Sequence, residues 1–358
     1  MQKIKVGIIG TGFGAKVHAP MMKFHEGFEV AAIASVSRGN VENAKTVSGV
    51  ENIYTDWKQM LQQESLDLVV VASAIHLHKD MVLAAYEKGL HVVCEKPMAL
   101  STEETVLMLA ARENAGKLGL INHEFRFLPA RQKVKEILDG SSLGKVLHVR
   151  YLCTFQNYLS LMANPRGWLA KEETGGGMLG ALGSHMTDSL HWWFESRFSE
   201  VFANLPIHVP TQISEDGTVE HRTADDAYQV IGKLENGTTV TMELVSATRQ
   251  TANTWRLEIF GTNGTLVMLD DYQVFLASGD AQLEKIELLS DLTAPEDMPA
   301  VPARYYNGFH RALDALYETV TSGIKHPYLA DFHNGHETQK VLDAIRLSAK
   351  EGRKITIL

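Results

Sequence analysis

Cysteine is scarce in this chain: 358 residues contain two, Cys94 and Cys153, and neither belongs to a Cys-x-x-Cys pair. That sets aside a zinc knuckle or a dithiol centre and leaves two reduced, packed thiols. Long apolar runs are missing as well. No stretch approaches the roughly 20 residues that span a bilayer. Met1-Gln2-Lys3 leads straight into a short strand with no small-residue cleavage site, so the setting read from the sequence is cytoplasmic, with no membrane partner. Positive charge is in deficit: 34 Lys and Arg stand against 43 Asp and Glu, for a formal charge of −9. Such a surface argues against nucleic acid or an anionic membrane as partner, though a local basic pocket can coexist with it. No internal repeat and no low-complexity tract is present.

The chain is too long for one hydrophobic core, so two domains are expected. The first reads as an α/β domain over residues 1–122. Ile4 to Ile9 is a short apolar run bounded by glycine, and therefore a buried strand. Gly10-Thr11-Gly12-Phe13-Gly14-Ala15 follows, a G-x-G-x-x-G/A pattern with alanine last. In such a turn Gly10 permits the bend, Gly12 lets the backbone approach a pyrophosphate, and Ala15 keeps the next helix close to the sheet. That helix then turns unpaired N–H groups toward the phosphates. A second strand, Glu29 to Ala34, ends in Ser35-Val36-Ser37-Arg38. An enzyme of the non-phosphorylated cofactor usually carries a carboxylate there, on the ribose hydroxyls. Ser37 and Arg38 suit a 2′-phosphate instead, which favours NADP over NAD.

Further strands at Leu66–Ala72, His91–Cys94 and Leu118–Ile121 alternate with helices at Lys79–Lys88 and Thr102–Ala115, the latter capped by Ser101 or Thr102 and stopped by Gly116. Strands alternating with helices make a doubly wound parallel sheet, whose ligands gather at the carboxyl ends of the strands. Gly12, Ser73, Glu95-Lys96 and Asn122 all fall on that rim.

After Asn122 the pattern changes. A helix from Pro129 to Asp139 is followed by strands at Lys145–Phe155, Val201–Leu205, Asp226–Leu234, Thr238–Ala247, Arg256–Phe260 and Thr265–Leu269, with hairpin signals at Asn236-Gly237 and Asn263-Gly264. Residues 123–358 thus read as an α+β domain with a large, mostly antiparallel open sheet. Helices near Tyr305–Thr321 and Thr338–Lys350 close it, the segment Pro206–Arg222 reads as a polar loop, and His333 and His336 read as surface residues in a loop before the last helix.

Three segments carry a family resemblance: Gly7-Ile8-Ile9-Gly10-Thr11-Gly12-Phe13-Gly14, His91-Val92-Val93-Cys94-Glu95-Lys96-Pro97-Met98-Ala99, and Gly175 through Asp188. With the domain order, they make the chain resemble the glucose–fructose oxidoreductase / inositol dehydrogenase (Gfo/Idh/MocA) family. The resemblance implies an NAD(P)-dependent oxidoreductase that moves a hydride between nicotinamide and a sugar, cyclitol or related polyol or keto-sugar. It implies that Lys96 faces cofactor and substrate and that His185 is the acid–base residue. Partial desolvation eases the deprotonation of a lysine, and histidine titrates near neutrality; both suit proton traffic.

The candidate cofactor contacts are Gly10, Gly12, Phe13, Gly14, Ser35, Ser37, Arg38, Ser73, His78, Glu95, Lys96 and Asn122. The candidate substrate contacts are His123, Arg126, Trp168 and His185, and no metal site is expected. Glu124 and Arg126 read equally well as a salt bridge, and Trp168 as packing. The open sheet face implies a homodimer or homotetramer. Three positions depart from the family: Ala181 where aspartate is usual four residues before the histidine, Ala74-Ile75 where proline or asparagine is common, and Leu169 where arginine is frequent. Because of Ala181 two other readings stay open: a dinucleotide-holding sensor without catalysis, and an enzyme that retains its cofactor for transient oxidation.

Overall fold

The computed structural model describes residues 3–35, 41–252 and 254–358. The chain forms two compact units, Met1–Phe127 with Asp291–His336, and Leu128–Ser290 with Glu337–Leu358.

In the first unit β1 (Ile4–Ile9), β2 (Phe28–Ala34), β3 (Ile53–Tyr54), β4 (Leu68–Val71), β5 (His91–Cys94) and β6 (Gly119–Ile121) form a parallel sheet in the order β6-β5-β4-β1-β2-β3. A short strand, Ala330–Asp331, adds antiparallel to β6. Side chains alternate between faces along a strand. Ile4, Val6, Ile8, Leu68 and Val70 therefore share one core with Phe309, Leu313 and Leu316. Ile9, Val69, Val71, Val92 and Cys94 share the other with Met81, Val82, Ala85 and Met108. The helix Thr102–Ala115 keeps its expected bounds: Ser101 Oγ accepts the Glu104 N–H at 3.5 Å, and Gly116 ends it at φ +60°.

A single change of domain at residue 122 does not describe this packing. Residues 291–336 return to the first unit because the helix Tyr306–Ser322 supplies the apolar stripe that covers one face of its sheet.

In the second unit β7 (Val146–Thr154), β8 (Phe198–Asn204), β11 (Ala227–Leu234), β12 (Thr239–Val245), β13 (Trp255–Gly261), β14 (Gly264–Leu269), β15 (Gln273–Ser278) and β16 (Glu284–Ile286) build a nine-stranded sheet with Ile355–Thr356 at one edge. Its pairs are antiparallel except β12 with β7, in keeping with the mostly antiparallel open sheet read from the sequence. The supposed loop 206–222 holds a hairpin, β9 (Thr211–Ile213) with β10 (Val219–His221). It is fastened inward: Glu220 accepts the N–H groups of Arg166 and Gly167, each at 2.9 Å, and pairs with Arg222 at 3.0 Å. His333 and His336 belong to the helix Phe332–Glu351, not to a loop before it, and His336 Nδ1 lies 2.7 Å from Thr105 Oγ1. Among the described residues no helix is long and apolar enough to cross a membrane.

Candidate active site

The glycine turn divides its labour. Gly10 has φ +133°, and a Cβ there would lie 2.1 Å from the Ala72 carbonyl oxygen, so the ends of β1 and β4 approach too closely for any other residue. Gly14 packs on Ile8, whose Cγ2 would stand 2.9 Å from an added Cβ. The close approach of helix to strand is thus made at Gly14, with Ala15 fully buried behind it. Gly12 differs from both. It is exposed, and a Cβ there would meet no atom within 4 Å. The protein's own packing does not require that glycine, whereas a pyrophosphate drawn against the backbone would. This open cradle at the switch of strand order between β1 and β4 fits a dinucleotide. Ser35, at the end of β2, is wholly buried and its N–H bonds the Tyr54 carbonyl at 2.8 Å. Ser37 and Arg38 lie outside the described residues.

The chain leaves the turn through a π-helical closure, Gly14–His18, in which the Ala19 N–H reaches back five residues to the Gly14 carbonyl. Such turns often mark functional sites. Here it ends at His18, which is 1% exposed and whose Nε2 stands 2.7 Å from Glu95 Oε1. Asn122 donates Nδ2 to the same oxygen at 2.8 Å, and Glu95 Oε2 accepts the Lys96 N–H at 3.3 Å. Burial pushes the Glu95 carboxyl up, but His18, the Lys96 charge and Asn122 outweigh it and hold it below the usual carboxylate range. The rings of Phe13 and Phe309 meet the His18 ring edge-on, at 5.5 and 4.9 Å. Phe13, Glu95, Lys96 and Asn122, read separately from the sequence, are brought together around a histidine that the sequence did not single out. Lys96 itself is half-buried, before a cis peptide bond to Pro97.

His78 does not face a ligand. It is fully buried, with Nε2 3.1 Å from the Ser73 carbonyl and Nδ1 3.2 Å from the Pro97 carbonyl. Burial pushes this ring below the ordinary histidine range, and a neutral ring donates one proton only. Its one proton reaches only one of the two carbonyls, and His78, expected as a cofactor contact, lies packed between the loop after β4 and the Glu95-Lys96-Pro97 turn. Ser73 is half-buried, with Oγ 3.3 Å from the Ala74 carbonyl. His123 and Arg126 are buried, and Arg126 donates Nη1 to the Tyr328 carbonyl at 3.4 Å. Burial raises the Cys94 thiol well above its usual range, so it stays protonated.

In the second unit Trp168 is 38% exposed in the short turn Gly167–Ala170. The segment 175–188 contains a second π-helical closure, Leu179–Gly183, which runs directly into the helix Ser184–Phe194. His185 and Asp188 lie in the first turns of that helix, each 2% exposed, and Ala181 sits within the π turn. A buried arginine supports the helix from below. Arg131 makes a two-point pair with Asp271, Nε–Oδ1 2.9 Å and Nη2–Oδ2 3.0 Å, among the rings of Tyr151, Trp193 and Trp255. Its Nη1 donates to Ser189 Oγ at 2.8 Å, and that hydroxyl donates to the His185 carbonyl at 2.7 Å.

A family model described as an oxidoreductase family with an NAD-binding Rossmann fold matches residues 4–123, and one described as the GFO/IDH/MocA C-terminal domain matches residues 131–267. An uncharacterized oxidoreductase of Synechocystis sp. is 33% identical over 276 residues, 75% of this chain and 72% of that protein. The chain belongs to the Gfo/Idh/MocA family of oxidoreductases. Levoglucosan dehydrogenase of Pseudarthrobacter phenanthrenivorans is 27% identical over 309 residues, 78% of each chain. A solved structure of levoglucosan dehydrogenase, in complex with NADH and L-sorbose, shares the fold over 100% of both chains with a TM-score of 0.84 at 21% identity. This member of the Gfo/Idh/MocA family is thus a nicotinamide-dependent oxidoreductase with a Rossmann unit for NAD(H).

Proposed function

We propose that this chain is a dehydrogenase of sugars or related polyols, with Lys96 and His185 as its catalytic residues. The observation that carries the reading is the Glu95-Lys96 turn, whose carboxylate is held by His18 and Asn122 while the lysine beside it stays half-buried. A carbohydrate substrate is supported by the relative named levoglucosan dehydrogenase. Bound nicotinamide dinucleotide supplies hydride acceptance and donation. Gly12 would face the pyrophosphate in the turn that Gly10 and Gly14 shape, and the Lys96 ammonium stabilises negative charge developing on the substrate oxygen. His185 exchanges the proton with that oxygen. Trp168 offers a ring face to the sugar, and His123 and Arg126 are the other candidate substrate contacts.

The end of β2 supports a preference for the phosphorylated cofactor, because Ser37-Arg38 stands where a carboxylate would bind free ribose hydroxyls. The open face of the large sheet supports a homodimer or homotetramer, since Phe202 and Ile231 are 45% and 64% exposed on neighbouring strands. The protein acts in the cytoplasm. Ala181 favours one second reading, a dinucleotide-binding sensor.

The test follows cofactor absorbance with NADH or NADPH against a keto-sugar panel, and with the oxidised cofactors against levoglucosan, glucose and inositols. Turnover is expected, His185→Ala is expected to lose about 10²- to 10⁴-fold in kcat while cofactor binding persists, and Lys96→Ala is expected to lose as much in kcat. Cofactor binding without turnover on any panel member overturns the dehydrogenase and leaves the sensor.

A further inference from the structure

The approach to His185 is fastened from outside by a carboxylate. Gly177 has φ +101°, and a Cβ there would lie 2.1 Å from Asp225 Oδ1. Only glycine lets that carboxylate lie against the main chain. The other oxygen, Oδ2, accepts the Leu179 N–H at 2.8 Å, and the Asp225 carbonyl accepts the Met178 N–H at 3.1 Å. Leu179 is the first residue of the π turn, and its own carbonyl accepts the Ser184 N–H that closes the turn. One residue thus joins Asp225 on one side to the neighbour of His185 on the other. The turn carries alanine at 181, so it holds no carboxylate of its own, and the acid comes from the edge of β11.

Asp225 is 9% exposed. Facing it are Arg346 from the helix Phe332–Glu351, Arg166 from the segment before Trp168, and the Tyr228 hydroxyl from β11. The adjacent Asp226 carboxylate is directed elsewhere, onto the N–H groups of His208 and Val209, each at 2.8 Å. Burial raises the Asp225 carboxyl to about 6, against the pull of the Leu179 N–H and the Arg346 charge. A folded value above the unfolded one means that this group favours the fold when protonated, and that its contribution is lost as pH rises through about 6. Ionised Asp225 is therefore a burden on stability at neutral pH.

We propose that Asp225 is a positioning residue for the proton chemistry of His185: it anchors the π turn that delivers the histidine, from the segment before β11, outside a turn that has alanine at position 181. This rests on His185 as the acid–base residue. The experiment compares wild type, Asp225→Asn, Asp225→Glu, Gly177→Ala and His185→Ala. The readouts are the histidine ring NMR spectrum, thermal unfolding, and kcat with KM from pH 5 to 9 on levoglucosan or the best panel sugar.

In the NMR arm the His185 signal is identified by its loss in His185→Ala. Wild type and Asp225→Asn should differ in it at pH 8 and converge at pH 5, where wild-type Asp225 is also neutral. Asp225→Asn should unfold at the same or a higher temperature than wild type at pH 8, yet lose at least about tenfold in kcat with cofactor KM unchanged, as displacement of a reacting group by an ångström would cause. Asp225→Glu should recover part of that loss, Gly177→Ala should reproduce it, and the acidic fall of wild-type kcat near pH 6 should be missing in Asp225→Asn. Coincident His185 signals at both pH values, or a kcat loss that only tracks a fall in unfolding temperature, overturns the proposal. If His185→Ala loses turnover and Asp225→Asn does not, the inference fails and the functional reading stands. An active His185→Ala overturns both.

Discussion

His18 Nε2 lies 2.7 Å from Glu95 Oε1, with both residues nearly sealed from solvent at 1% and 8% exposure. The pair joins the helix that leaves the glycine turn to the strand end that presents Lys96. Removing one partner leaves the other buried in a medium that penalises an uncompensated polar group or charge. Glu95→Gln and His18→Ala are each expected to cost about 3–5 kcal/mol in urea unfolding at pH 7. The pH dependence has a definite sign. The folded carboxyl is held below its ordinary value of 4.5, so its contribution is present above that value and is lost as pH falls through the folded one. The Glu95→Gln deficit should therefore shrink in acid. A deficit that stays constant down to pH 3 means that the charge of Glu95 contributes nothing.

Gly10 and Gly12 stand two residues apart and should fail in different ways. Gly10→Ala must place a carbon 2.1 Å from the Ala72 carbonyl oxygen at φ +133°, and should lose more than about 2 kcal/mol of stability. Gly12→Ala meets no atom within 4 Å, so its unfolding should stay within about 1 kcal/mol of wild type. The new methyl group would, however, occupy the space that a pyrophosphate needs. Dinucleotide affinity, measured by fluorescence titration, should fall at least about tenfold, or about 1.4 kcal/mol. Unchanged affinity in Gly12→Ala places the cofactor phosphates elsewhere.

Local signals were legible and distant partnerships were not. The glycine turn, the Ser101 cap, the Gly116 stop and the proline start of Pro129–Asp139 each follow from a few adjacent residues, and the structure keeps all four. His18 meets Glu95 across 77 positions, Leu179 meets Asp225 across 46, and Arg131 meets Asp271 across 140. Nothing beside those residues announces the partner. Both π turns were invisible for a related reason. Gly14–His18 and Leu179–Gly183 have helix-like composition, and reaching back five residues instead of four is set by what the turn packs against. The return of Tyr306–Ser322 to the first unit was hidden likewise: its apolar stripe was readable, but not which sheet it would cover.

The proposed preference for NADP is tested at Arg38. With no carboxylate at the end of β2, a guanidinium at that position would pair with a 2′-phosphate through charge-assisted hydrogen bonds of about 1.5–3 kcal/mol. Arg38→Ala should therefore lower the NADPH-over-NADH ratio of kcat/KM about 10- to 100-fold, acting mainly on the NADPH side. Installing a carboxylate as well, in Ser37→Asp with Arg38→Ala, should invert the preference. A wild type that favours NADH, or an Arg38→Ala variant with the same ratio, rejects the assignment.

Assembly should depend on a row of side chains that crosses the large sheet. The ladder registers align Phe202 with Ile231, Ile231 with Thr241, Thr241 with Arg150, and Arg150 with Glu258. Residues aligned in this way share a face. On this face Ile231 is 64% and Phe202 45% exposed, while β11 buries its alternate residues Val230, Gly232 and Leu234 on the other. Scattered exposed apolar residues are ordinary, but two in direct register on neighbouring strands form one apolar spot. A stable interface hides about 800 Å² per partner. Wild type should therefore sediment as a dimer or tetramer. Ile231→Asp combined with Phe202→Asp should sediment as the 39.7 kDa monomer with little change in unfolding, because neither side chain belongs to a core. If the double variant keeps the wild-type mass, or wild type is itself monomeric at micromolar concentration, the sheet face is not the interface.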